Sequence, residues 1–344
     1  MRKLLNVLYV TNPEAYLSKE GESITVSING KEVKRIPSHN LEGIICFGYQ
    51  GASPKVMAMC TEKGIGLSFV TEYGQFLCRV NGKVNGNVLL RKQQYRISDH
   101  RIKSGHMARS FVIGKLLNCR NVLLRFKREH GDLCDEKYIE NIASIEEIIN
   151  QVNKSVDVDI DTIRGLEGIG AKTYFDCFDH FILSNKEDFY FKGRNKRPPL
   201  DRMNALLSFI YVLLAHDVTS ALETVGLDPQ VGFLHRDRPG RNSLALDLME
   251  ELRPYLADRL ALTLINTNML TKDDFVEKEN KAVLLKPDST KIVLTQWQKR
   301  KKEVITHPFL NEKIEIGLIP YAQALLLART IRGDMETYPP FITK

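Results

Sequence analysis

Apolar positions recur every second residue in the first part of this chain and roughly every 3.6 residues in most of the remainder. The run Leu4 to Val10 reads as a strand. Ser23-Ile-Thr-Val-Ser-Ile28 alternates, Asn29-Gly30 is a strong hairpin turn, and Lys31 to Ile36 is the return strand. Gly43 to Phe47, Gly66 to Val70 and Gln75 to Val80 are further short strands, with one helix expected over Pro54 to Lys63. Arg91 to Ser98 reads as a polar, basic connector. The period then changes. Arg101 to Arg128 carries Met107, Phe111, Leu116, Val122, Leu123 and Phe126 at helical spacing, and Gly131-Asp-Leu-Cys134 breaks it. Tyr138 to Val152 is a second amphipathic helix. Asp201 caps a third over Arg202 to Ala215, and Leu318 to Arg332 closes the chain before a C-cap at Gly333. The expected class is α+β: a β-rich domain over 1–92, a linker over 93–100, and a mostly α-helical domain over 101–344.

Composition fits a soluble globular protein: 344 residues, 43% hydrophobic and 26% charged. The net charge of +7 favours a polyanionic partner. Leu4 to Val10 lacks a cleavage site, so no secretory leader is expected. The longest apolar stretch, Ala205 to Ala215, is of buried-helix length, so no membrane span is expected. The six cysteines are scattered without a C-x-x-C pair. They point to reduced thiols in a cytoplasmic protein rather than to disulfides or zinc fingers.

The chemistry concentrates between Gly226 and Pro254. His235 lies in a loop dense with Pro, Gly and Arg. Ser243 reads as the N-cap of a helix running through Leu244, Leu248 and Leu252. On it Asp247 and Glu250, three apart, share a face. An imidazole beside two carboxylates suits Mg²⁺ or Mn²⁺, but it leaves the coordination shell short of one acid. Glu167, bracketed by Gly165, Gly168 and Gly170 at the mouth of a helix, is the candidate. Its plain alternative is an acid complementing the helix dipole. Two basic stretches, Arg194 to Asp201 and Lys299 to Lys302 after Trp297, fit either a solvated turn or helix face or a DNA backbone. His180 and His216 read as ordinary partly buried histidines. No Cys or Ser sits in a nucleophile motif.

Several segments, in fixed order, resemble one family. They are Leu166-Glu-Gly with Tyr174-Phe, Arg197-Pro-Pro, Asn204-Ala-Leu-Leu-Ser-Phe-Ile-Tyr211, Gly226-Leu-Asp-Pro, Gly232-Phe-Leu-His235 and Ser243 to Pro254. The Asn29-Gly30 hairpin, Gly48 to Ser53 and Gly86 to Gln94 agree. Together they resemble the CRISPR-associated integrase-nucleases, the Cas-one family, over essentially the whole chain. The ending Arg332 to Phe341 is similar to the type I-C branch.

The resemblance implies that Glu167, His235 and Glu250 hold Mg²⁺ or Mn²⁺, with Asp247 a nearby essential acid that holds a second metal or acts as base. Glu251 remains an alternative to Glu250, and His235 can instead be a general acid or base. The implied reaction is transesterification, in which the 3′-hydroxyl of a short double-stranded DNA attacks a phosphodiester at the border of a CRISPR repeat. Arg236, Arg238 and Arg241 are expected on phosphates. The implied partners are a homodimer mate through the β-rich domain, the small Cas-two protein and a Cas-four nuclease. Two other readings stand beside this one: a general metal-dependent DNA or RNA phosphodiesterase, and a non-catalytic DNA-binding scaffold.

Overall fold

The structure is a computed structural model that describes residues 5–82, 87–155, 159–195 and 198–343. Leu4, Gly86, Lys196 and Arg197, each part of a stretch singled out above, lie outside the described residues.

The first part holds seven strands: β1 (Asn6–Val10), β2 (Ala15–Glu20), β3 (Ser23–Ile28), β4 (Lys31–Pro37), β5 (Leu41–Phe47), β6 (Gly66–Val70) and β7 (Phe76–Val80). Helix α1 (Pro54–Lys63) lies between β5 and β6. The β2-β3-β4 meander is antiparallel, and its second turn is at Asn29 and Gly30, both at positive φ as the dipeptide demands. The second sheet runs β1-β5-β6-β7, with parallel β1·β5 and β5·β6 pairs and an antiparallel edge. A small core of Leu17, Ile24, Ile44, Met59 and Leu67 fills the space between these sheets and α1.

The rest is mostly helical: α2 (Val88–Asp99), α3 (Arg101–Glu129), α4 (Glu136–Lys154), α5 (Ile160–Asp176), α6 (Arg202–Thr224), α7 (Ser243–Glu250), α8 (Arg259–Asn266), α9 (Pro287–Lys301) and α10 (Ile319–Arg332). The β-rich start and helical remainder match the class read from the sequence. One large core joins these helices to the far face of the second sheet through Val7, Ile45, Phe47 and Val70. Polar contacts cross the same boundary. Arg79 pairs with Glu223 at 2.7 Å, and buried Lys301 pairs with Asp217 at 2.9 Å and Glu42 at 3.3 Å.

Several expectations change. The connector at 91–98 is helix, started by the Asn87 side chain, which accepts from the Leu89 and Leu90 amides. Helix α6 continues past Ala215 to Thr224 and is long and apolar enough to cross a bilayer. However, 61% of its most apolar window is buried in the protein core. The basic stretches are partly structural: Arg194 binds Asn204 Oδ1 at 2.6 Å, and Lys301 is the buried ion-pair partner just described.

Candidate active site

Helices α3, α5 and α7 bring the candidate residues together with the loop that precedes α7. The loop's backbone groups are met by side chains from four helices. Gln94 of α2 donates to the Asp228 and Val231 carbonyls, both at 2.8 Å, and accepts from the Asp228 amide at 2.9 Å. Ser98 donates to Gly232 O at 2.7 Å, Ser104 to Phe233 O at 3.1 Å, and Arg164 to Leu234 O at 2.6 Å. A buried loop needs such partners, and this explains why the supposed connector is polar.

Asp247 meets three of the loop's amides. It is fully buried, and its Oδ2 accepts from the Phe233 and Leu234 amides at 2.6 and 2.9 Å. Its Oδ1 accepts from the His235 amide at 2.9 Å and stands 2.7 Å from His235 Nδ1. Gly232 permits this close approach, since a Cβ there would lie 2.8 Å from Asp247 Oδ2 and 2.9 Å from Ser243 Cβ. A carboxylate accepting at Nδ1 fixes the imidazole with its proton on Nδ1 and leaves Nε2 as the free lone pair. Both oxygens of Asp247 are therefore committed to holding His235 and its loop.

Ser243 is not the N-cap. Asn242 holds that position without a side-chain hydrogen bond to the helix amides, while Ser243 Oγ donates to Arg236 O at 3.1 Å. Helix α7 also stops at Glu250 instead of running through Leu252. Pro254, four residues on, has no N–H for the Glu250 carbonyl and its ring clashes there. Arg253–Asp258 is wound as a π-helix before α8 begins.

Glu250 and Glu251 face opposite ways. Glu250 is buried, with Arg253 Nη1 at 2.7 Å from Oε1, His235 Nε2 at 3.9 Å from the same oxygen, and Lys115 Nζ at 2.7 Å from Oε2. Burial works against its charge, but the Arg253 and Lys115 cations hold its carboxyl below the ordinary carboxylate range. Glu251 points into the protein, where Oε1 accepts from Tyr338 at 2.7 Å and Gln323 at 2.8 Å, and burial pushes its carboxyl up to about 8.

Glu167 is not at a helix mouth. It lies two turns inside α5, where Lys115 Nζ meets its Oε1. Gly165 and Gly168 stay helical with nothing close by. At Gly170 a Cβ would overlap Leu116 Cδ2, so this glycine lets α5 approach α3. The Glu167 side chain is 24% exposed and that of His235 23%, so the cluster opens to solvent on this side.

The arginines are arranged less tightly. Arg236 and Arg238 are exposed, and Arg236 pairs with Asp161 at 2.9 Å. Asp161 is also held by Arg164 at 2.6 Å. Lys115 and Arg253 were not anticipated. The signal for Lys115 was a lysine within the apolar stripe of α3, between Phe111 and Cys119 one turn to either side.

Among the described residues, no three His, Cys, Asp or Glu side chains close around a common point as a metal cage. The donors fit a hard divalent cation all the same. Two carboxylates and an imidazole nitrogen are the right chemistry. Buried Glu250 Oε2 is met by the Lys115 ammonium at 2.7 Å and by no other hydrogen-bond donor among the described residues. A cation, the Lys115 ammonium, already stands between the two glutamates.

Residues 8–299 match the family CRISPR associated protein Cas1. The chain is 48% identical to CRISPR-associated endonuclease Cas1 1 of Chlorobaculum tepidum over 99% of both chains. It is 47% identical to Cas1 2 of Rhodospirillum rubrum over the full length of both. It is 30% identical to a Cas4 exonuclease/Cas1 endonuclease fusion of Geobacter sulfurreducens, over 98% of this chain and 60% of the fusion. In fold it resembles a casposase bound to integration product, with a TM-score of 0.83 at 20% identity over 99% of this chain and 95% of the other. It also resembles a chain of a Cas6-RT-Cas1–Cas2 complex, with a TM-score of 0.83 at 20% identity over 99% of this chain and 36% of the other. With close relatives from end to end and a family match over most of its length, the chain belongs to the Cas1 family of CRISPR-associated endonucleases.

Proposed function

We propose that this endonuclease of CRISPR adaptation is a divalent-metal-dependent integrase. It would join the 3′-hydroxyl of a short duplex DNA to the border of a CRISPR repeat by transesterification. The observation that carries this reading is the convergence of Glu167, Glu250 and His235 Nε2 from α5, α7 and the loop before it. Those three would hold Mg²⁺ or Mn²⁺, which when bound supplies Lewis acidity toward a phosphodiester. The other residues position and orient. Asp247 keeps the imidazole in the tautomer that offers Nε2, whether that nitrogen binds metal or takes the proton of the attacking hydroxyl. This assigns Asp247 a supporting role and leaves it no free oxygen for a second ion. Arg253 fixes Glu250 while stacking on Tyr211 at 4.9 Å. Arg236, Arg238 and Arg241 lie along the loop beside the opening, suited to a DNA backbone.

The same reading assigns residues 1–92 to assembly and homodimerisation and 101–344 to catalysis, with 93–100 in and just after α2. Partners are Cas2, as in the complex whose Cas1-containing chain shares this fold, and Cas4, supported by its fusion in the Geobacter relative. The ending Arg332 to Phe341 supports the type I-C branch, and the reaction belongs in the cytoplasm.

The test is strand joining. A labelled duplex with free 3′-hydroxyls is mixed with supercoiled plasmid carrying a repeat, in Mn²⁺, Mg²⁺ or EDTA, with and without Cas2. Joined product that needs both metal and Glu167 is the expected result. Cleavage without joining in every arm would reduce the protein to a nuclease.

A further inference from the structure

We propose that Lys115 is the resident cation of this site: a positioning residue that holds Glu167 and Glu250 together, and that a divalent ion must displace from between them. The inference rests on the metal-dependent reading above.

Three observations lead to it. First, Lys115 stands on the buried face of α3 with its side chain 8% exposed, where an ammonium is costly unless neutralised. Its neutralising partners are Glu167 and Glu250, the two carboxylates assigned to the metal. Second, the two cations beside Glu250 are unequally fixed. Arg253 is ion-paired to Oε1 and stacked on the Tyr211 ring. Lys115 meets Oε2 at 2.7 Å from the end of a flexible four-carbon chain, and no other donor among the described residues reaches that oxygen. Oε2 is therefore the oxygen whose partner can be exchanged. Third, α3 is pressed on α5 at Gly170 and Leu116, so Lys115 and Glu167 are brought together by helix packing.

In the metal-free protein the ammonium prevents two carboxylates in one partly buried pocket from repelling each other. A divalent ion held by Glu167 and Glu250 would share those carboxylates with the ammonium that now contacts both, and like charges so close do not coexist cheaply. Metal entry therefore requires Lys115 to swing away. The lysine weakens metal affinity while keeping the empty site assembled.

The experiment compares wild type, Lys115→Met, Lys115→Gln and Glu167→Ala, full length and without DNA. Free Mn²⁺ is read by electron paramagnetic resonance, and thermal melting is followed with and without the ion. Both lysine variants are expected to bind Mn²⁺ tighter than wild type by about tenfold or more. They should melt lower when metal-free and recover more on adding Mn²⁺. Equal or weaker Mn²⁺ binding in the lysine variants overturns the inference, provided that wild type binds the ion and Glu167→Ala does not. Failure of wild type itself to bind Mn²⁺ overturns the metal reading, and this inference with it. If neither lysine variant folds, the ε-¹⁵N signal of Lys115 in wild type is followed instead. It should move on saturation with Mg²⁺ and return with EDTA, and an unmoved signal counts against displacement.

Discussion

Replacing Asp247 by Asn separates support from chemistry within one cluster. The carboxylate takes two donors on each oxygen: the Phe233 and Leu234 amides on Oδ2, and the His235 amide and Nδ1 on Oδ1. An asparagine turns one oxygen into NH₂. With the NH₂ in the Oδ2 position two buried amides face another donor; in the Oδ1 position the His235 amide does, and the imidazole must move its proton to Nε2. Hydrogen bonds to a charged acceptor contribute about 1.5–3 kcal/mol each, so the loss is about 2–6 kcal/mol. That is a large part of the roughly 5–15 kcal/mol of a typical domain. Glu167→Gln provides the contrast. Its side chain is partly exposed and Lys115 retains Glu250, so the cost should be about 1 kcal/mol or less. The assay is urea unfolding by circular dichroism in EDTA, run beside strand joining. Both variants should lose joining, and only Asp247→Asn should lose stability. An Asp247→Asn protein within about 1 kcal/mol of wild type would refute the argument that this acid holds the loop.

The same geometry sets two further outcomes. Glu251 keeps its proton up to about pH 8 in the folded protein, whereas an unfolded glutamate loses it near the ordinary carboxylate value. The folded state thus binds more protons between those values, and its stability falls as pH rises through that window. Glu251→Gln should flatten the fall in melting temperature between pH 5 and pH 8, and an unchanged slope would rule out the buried carboxyl as its source. Gly232→Ala places a Cβ 2.8 Å from Asp247 Oδ2, which should cost about 1–3 kcal/mol and weaken Mn²⁺ binding by shifting His235. Unaltered Mn²⁺ affinity would mean that the loop position does not govern the site.

The strands, the long helices and the face shared by Asp247 and Glu250 were legible because periodicity and turn chemistry are local. What escaped was set by distant partners. Arg91 to Ser98 looks like a connector until Gln94 and Ser98 are seen binding a loop more than a hundred residues away. The glycines around Glu167 suggested a helix start, yet α5 runs through all three, and only Gly170 has a packing reason, its close approach to Leu116 of α3. The end of α7 was readable in principle, since Pro254 forbids the Glu250 hydrogen bond. Lys115 too left a trace, a charge inside an apolar stripe, but its meaning needed the two glutamates that the fold sets beside it.

Asp247, Glu250 and Glu251 lie within five residues, and their chemistry diverges because each faces a different neighbour. Asp247 meets three backbone amides and His235 Nδ1, which together fill its acceptor capacity, so it organises the loop. Glu251 meets Tyr338 and Gln323 in the protein interior, where burial suppresses its charge. Glu250 meets Arg253 and Lys115, so it stays ionised despite equal burial, and one of its oxygens has the Lys115 ammonium as its single partner among the described residues. A metal-binding glutamate must be charged and not already saturated with hydrogen bonds. Of these three acids, Glu250 alone meets both conditions.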